Sequence, residues 1–223
     1  MGKLSEGDTK TLILDAAEQA FAELGFDAAS LRRIISVAGV NLAAIHYHYG
    51  SKEALIEAVF ARRVGPVNQA RLERLDAIER RAGQGVLPLE EVIEALVGPA
   101  LRLARDSAKG PVVMRLYGRT VAEPGEHLQK MLSHQFGGVV KRFATALQRA
   151  VPELPRDALY WRMQFIIGAM GHLICDPQRL KLISGGLCDP SDPNTAIRQL
   201  VAFLAAGMRA PLPSKRKEAP RKR

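Results

Sequence analysis

Apolar residues recur along this chain at intervals of three and four and form no convincing period-two run, a pattern that predicts helices from end to end. Between Thr9 and Gly25 the stripe is Ile13, Ala16, Ala17, Ala20, Phe21 and Leu24, with Asp8 or Thr9 able to cap its start and Gly25 to end it. Leu31, Ile34, Ile35 and Ala38 define a short second helix that opens at Ser30 and breaks at Gly39. A third runs from about Asn41 to Tyr49 and stops at Gly50; Ser51 then caps a fourth that opens Lys52-Glu53-Ala54-Leu55.

Gly65-Pro66 interrupts the fourth helix, which is expected to bend and continue through the charged run RLERLDAIERR. After a loop from Gly83 to Pro88, Leu89, Val92, Ile93, Leu96 and Val97 make Pro88 to Ser107 amphipathic. Gly110-Pro111 opens a helix to Glu123, and Pro124-Gly125 opens another reaching about Ala150. A long apolar helix from Pro155 to Asp176, a loop rich in Gly, Pro and Asp from Ser184 to Pro193, and a last helix from Thr195 to Ala210 complete the pattern. The fold class is therefore all-α. A three-helix, helix-turn-helix DNA-binding unit is expected in residues 1–50, an effector-binding and dimerisation unit in 51–213, and a basic, disordered tail in 214–223.

A length of 223 residues with 47% hydrophobic and 25% charged content suits a globular protein that buries a substantial core. No apolar run reaches the roughly 18 residues needed to cross a bilayer. The opening MGKLSEGDTK lacks a secretory h-region, so a cytoplasmic, nucleoid-associated location and no membrane partner are expected. In that compartment Cys175 and Cys188 are expected as two reduced thiols. The net charge of +9 suggests nucleic acid, but much of it lies in the closing SKRKEAPRKR. The first 50 residues carry only Lys3, Lys10, Arg32 and Arg33 against six acidic side chains, so a case for DNA there rests on placement, not bulk charge.

Placement centres on HYHY, His46 to Tyr49. On a helix His46 and His48 diverge by about 160°, so they cannot share a metal ion, and no metal or cofactor is expected. Ala43, His46 and Tyr47 fall on the outer face of the third helix, whereas Tyr49 leans toward the other helices and His48 lies at the border. Small side chains permit close approach to a major groove, and an alanine methyl can pack on a thymine methyl. Tyr47, His48, Lys52, Ser30 and the helix start at Ser51 can reach phosphate oxygens. The candidate DNA-contacting set is Ser30, Asn41, Leu42, Ala43, Ala44, His46, Tyr47, His48 and Lys52, acting on a double-stranded operator.

The span from Thr9 to Phe60, including SLRRIISVAGVNLAAIHYHYGSKEALIEAVF, resembles the DNA-binding domain of TetR-family transcriptional regulators. The shared features are Ser30 opening the second helix, Ala38-Gly39-Val40 in the turn, the aromatic Ile45-to-Tyr49 segment, and Ser51-Lys52-Glu53-Ala54-Leu55. One position departs: where most members have Tyr after the residue matching Ile45, this chain has His46, and base selection is expected to differ. The resemblance implies a ligand-responsive regulator and not an enzyme. No nucleophile, base and orienter cluster appears at a recognisable spacing either.

FIIGAMGHLI and LVAFLAAGM interleave Gly168, Ala169, Gly171 and Ala205-Ala206-Gly207 with large apolar residues. That composition suits close helix approach in a four-helix-bundle homodimer built from the last two long helices, which the resemblance also implies. An effector cavity is expected among the middle helices, with Met114, Arg115, Tyr117, Phe136, Met163 and Phe165 as candidate ligand contacts and Met131, Phe143 and Met170 as further apolar lining. Arg115 and Arg119 share a helical face and could grip a carboxylate or serve salt bridges; His127 and His134 sit too far apart to chelate.

MRLYG at Met114 to Gly118, PELPRDALYWRMQFIIGA and FLAAGMRA resemble the fatty-acid-responsive PsrA subgroup of the family. This implies a repressor released from a palindromic operator by a long-chain fatty acid or acyl-CoA. A different hydrophobic effector, or a ligandless architectural DNA-binding protein aided by the basic tail, stays open on the residues alone.

Overall fold

The computed structural model describes residues 6–106, 108–123 and 125–213, so the basic tail at 214–223 lies outside the described residues. These form ten α-helices and no strand. A head is made of α1 (Glu6–Leu24), α2 (Leu31–Ala38) and α3 (Leu42–Tyr49). The body contains α4 (Lys52–Ala82), α5 (Leu89–Ala104), α6 (Gly110–Ala122), α7 (Glu126–Ala150), α8 (Arg156–Cys175), α9 (Pro177–Ile183) and α10 (Pro193–Arg209).

Most boundaries follow the punctuation in the sequence, and two differ from the expectation. Helix α1 already runs at Glu6, so Asp8 and Thr9 lie in its first turn and do not cap it. Helix α9 fills residues 177–183, between the expected long helix and the expected loop, where the sequence pattern assigned no element. Asp176 caps it by accepting from the Arg179 amide at 3.1 Å, and Pro177 supplies a preset first turn. Both cysteines are free and exposed.

Two apolar clusters divide the interior. Ile13, Ala17, Phe21, Ile34 and Ile45 from the head close over Leu55, Val59 and Phe60 of α4, and Leu116, Leu128 and Met131 of the body join them. The second cluster packs α4, α5, α7, α8 and α10 around residues such as Leu75, Val92, Phe143, Ile166 and Leu204. The head's core therefore extends past residue 50 and is completed by α6 and α7.

Helix α4 spans both clusters. Its 31 residues reach about 46 Å at 1.5 Å per residue, and it passes through Pro66 without breaking. Pro66 withholds a donor from the Arg62 carbonyl, a defect that would end an isolated helix. Tertiary contacts hold both flanks instead. Before the proline, Arg62 and Arg63 grip Glu18 of α1, with Arg63 Nε 2.5 Å from Glu18 Oε1 and Arg62 also 2.5 Å from Asp15 Oδ1. After it, Asn68 donates to the Gln135 carbonyl of α7 at 3.0 Å and Arg71 to the Leu96 carbonyl of α5 at 2.7 Å.

Glu18 is only 3% exposed, and its two arginine partners offset the cost of burying its charge. Removing the carboxylate leaves Arg63 without its ion-pair partner and Arg62 with Asp15 alone. Glu18→Ala is expected to lower unfolding free energy by about 3 kcal/mol, read by urea denaturation; a loss below about 0.5 kcal/mol, the scale of an ordinary surface change, would show that the pair carries no such weight.

Candidate nucleic-acid interface and effector cavity

The head presents a helix-turn-helix whose second and third helices, and the α4 that follows, are capped at their N-termini by side chains. Ser30 accepts from the Arg33 amide at 3.3 Å and starts α2, while Gly39 ends it at φ 66°, a left-handed geometry that favours glycine. Asn41 Oδ1 accepts from the Ala44 amide at 2.9 Å and starts α3. Ser51 accepts from the Ala54 amide at 3.1 Å and starts α4. Ile45 turns fully inward, so Leu42, Ala43, His46 and Tyr47 are exposed and Ala44 and His48 half-buried.

Several of these side chains already hold a partner. Tyr47, 76% exposed, donates from its hydroxyl to Glu6 at 3.3 Å, and its ring meets His48 edge-on. The Tyr49 hydroxyl donates to the Lys10 carbonyl at 2.9 Å, which ties α3 to α1; burial pushes that phenol's pKa up. Lys52 Nζ donates to the Asp27 carbonyl at 3.0 Å and so braces the turn before α2. His46 Nδ1 lies 2.9 Å from the Gly50 carbonyl. A carbonyl can only accept, so Nδ1 is the donor in this contact.

A partly open cavity of about 460 Å³ lies in the body between α4, α5, α6, α7 and α8. Its wall is mainly apolar, with Val64, Val67, Leu103, Leu116, Val140 and Ile167 among the lining residues. The polar exceptions are Arg63, Arg71, Tyr117, Thr120 and Ser133. Among the described residues no group of acidic, His and Cys side chains could hold a metal ion. No described helix is long and apolar enough to cross a membrane.

The family model for bacterial regulatory proteins of the tetR family matches residues 13–59, and the model for the tetracyclin repressor-like C-terminal domain matches residues 94–207. The chain belongs to the TetR family of transcriptional regulators. Members are DNA-binding regulators and not enzymes. The regulator UidR of Escherichia coli K12 is 41% identical over 51 residues, 23% of this chain; the match spans only 26% of UidR. The transcriptional repressor Rv1474c of Mycobacterium tuberculosis is 26% identical over 179 residues, covering 77% of this chain and 86% of that one. The fold is similar to that of the regulator FadR from Bacillus subtilis, solved in complex with stearoyl-CoA. The TM-score is 0.65 at 14% identity, over 88% of this chain and 98% of that one.

Within this TetR-family fold the residues anticipated for a ligand separate. Tyr117 and Phe136 line the cavity, as does Met170. Met163 is buried in the body's core, Met114 packs partly buried against it, and Arg115 is exposed; none of the three lines the cavity. Phe165 is 61% exposed, because Ile167, Met170 and Ile174, which do line it, project about 140–200° away around α8. Phe165 instead lies beside the exposed Trp161, with ring centroids 6.2 Å apart, while Tyr160 and, on α10, Phe203 are exposed as well. Exposed Gly168, Ala206 and Gly207 lie on the same two helices. Gly171 serves another purpose: a Cβ there would come within 2.5 Å of the Tyr117 phenol oxygen, so its small size admits Tyr117 to the cavity wall.

Sequence reasoning missed Arg71, Arg63 and the linkage between head and body. Phe60, Val64, Val67 and Arg71 follow helical spacing on α4, a signal obscured by the neighbouring charges. Arg119 donates to the Glu23 carbonyl at 2.7 Å and pairs with Glu123 at 3.2 Å, while Glu123 Oε2 accepts from the Phe26 amide at 2.8 Å. Helix α6, one wall of the cavity, thereby grips the end of α1. Gly25 sits at φ 91° in this contact, and a Cβ there would lie 2.3 Å from Glu123 Oε1. Gly25→Ala is expected to destabilise the protein by about 1–2 kcal/mol from backbone strain alone, and further through loss of the Glu123 contact. Chemical denaturation beside Glu123→Ala separates the two, since only the glycine variant carries the strain; equal losses would refute the backbone contribution.

Proposed function

We propose that this regulator is an acyl-responsive repressor. As a homodimer it reads a roughly palindromic operator with α3 and releases it when a long-chain fatty acid or acyl-CoA fills the body. The observation that carries this reading is the apolar cavity walled by α4 and α6, the same two helices that hold the head through Glu18 and through Arg119 and Glu123. Stearoyl-CoA in the fold relative FadR and the resemblance to the PsrA subgroup support an acyl ligand.

On DNA, Leu42, Ala43 and Ala44 contact thymine methyls and groove walls, while Ser30, Tyr47, His48 and Lys52 contact phosphates. Asn41 contributes through its amide nitrogen, its oxygen being held by the cap. His46 contacts the DNA through Nε2, its Nδ1 being held by the Gly50 carbonyl. The exposed face of Trp161, Phe165 and Phe203 pairs with its copy, and the small residues beside it let the helices approach. The dimer sets the separation of two recognition helices at about 34 Å or a multiple of it. An acyl chain that prefers a different α4 and α6 arrangement shifts the equilibrium off DNA, by roughly 5–150-fold for a typical coupling.

Operator binding measured by fluorescence anisotropy is expected to weaken within that range when hexadecanoate or hexadecanoyl-CoA is added; undiminished binding at saturation by both ligands rejects acyl induction. Trp161→Glu is expected to leave a folded monomer in analytical ultracentrifugation with weakened operator binding. A Trp161→Glu protein that stays dimeric would move the interface elsewhere.

A further inference from the structure

Arg71 is the unusual group in the cavity wall. It is 4% exposed, and among the described residues no carboxylate pairs with it, in contrast to Arg62 and Arg63, both more than two turns earlier on α4. Its contacts are all uncharged: Nε donates to the Leu96 carbonyl at 2.7 Å, Nη1 to Asn68 Oδ1 at 3.0 Å, and Nη2 reaches Met170 Sδ at 3.6 Å. Burial lowers its pKa to about 10, which still leaves it charged at neutral pH. A guanidinium has five N–H donors, so one on each terminal nitrogen is left over. Two parallel donors on a planar cation match the two oxygens of a carboxylate.

The side chain is held for that task. Asn68 gives its amide nitrogen to the Gln135 carbonyl and its oxygen to Arg71, so α7 fixes Asn68 and Asn68 fixes the guanidinium. Tyr117 fronts the same cavity, its phenol admitted by Gly171. A buried cation without a counter-charge is costly, and a ligand bringing a single negative charge to it removes that cost.

We propose that Arg71 binds the free carboxylate of the effector, so the ligand is an unesterified long-chain carboxylic acid and not its coenzyme A ester. The inference rests on the acyl reading above and narrows it. A thioester has no charge at the acyl head, and its nucleotide phosphates would stay outside a cavity of about 460 Å³. An ester inserted tail first would lay methylenes against Arg71 and leave the charge unpaired. Arg63, the other cation in the wall, is already taken by Glu18.

The test is calorimetric titration of the full-length protein with hexadecanoate, hexadecan-1-ol and hexadecanoyl-CoA. The acid is expected to bind roughly tenfold to hundredfold more tightly than the alcohol and the CoA ester, the scale of hydrogen bonds to a charged group. Arg71→Gln is expected to weaken the acid by a similar factor and erase its advantage over the alcohol, with the thermal midpoint confirming a folded variant. The wild-type comparison of acid with alcohol stands even if that variant does not fold. Equal binding of acid and alcohol overturns the assignment to Arg71. Tighter binding of the CoA ester overturns the free-acid inference while keeping the acyl reading, and binding of none of the three overturns the acyl reading itself.

Discussion

The carboxylate of Glu18, buried between two consecutive arginines of α4, is the interaction that makes head and body one mechanical unit. It stands where α1 crosses α4 and is offset by charge on both sides. Because Arg63 also faces the cavity, the pair links the head directly to the space a ligand would occupy. On the other side of α1, Glu123 and Arg119 of α6 hold the turn at Gly25. The head is thus gripped by two of the five helices that wall the cavity.

The same helix carries two solutions to burying charge. Near the head, Arg62 and Arg63 are neutralised within the protein and act as structural fastenings. Past Pro66, Arg71 bonds to carbonyl, amide and thioether groups, and among the described residues no carboxylate pairs with it. Structural arginines and binding arginines differ here by whether a carboxylate lies within reach, a property set by how α1, α5 and α8 pack around α4.

Much of the head was legible in the sequence because its signals are local. The Ser30, Asn41 and Ser51 caps, the break at Gly39, and the inward Ile45 with outward Tyr47 all depend on residues within one or two helical turns. The turn of Tyr49 toward α1 follows from the same periodicity and ends on the Lys10 carbonyl. The body was less legible. Phe165 has the apolar character of a pocket residue, yet its angle on α8 sends it outward, and only the packing of α5, α6, α7 and α10 against α8 decides which side of it is inside. Arg71 looked like one charge among many in a solvated run, although Val64 and Val67 place it on a core stripe.

The sequence by itself determined the all-helical class, nearly every helix boundary, the helix-turn-helix and the register of its recognition helix. Periodicity and capping act over a few residues and survive without tertiary context. Tertiary structure decided that Pro66 does not end α4, that Gly171 makes room for Tyr117, and that Glu18 is paired while Arg71 is not. Those outcomes depend on residues distant in the chain meeting across helix interfaces, where burial converts an ordinary surface charge into either a fastening or a vacant counter-ion for a ligand.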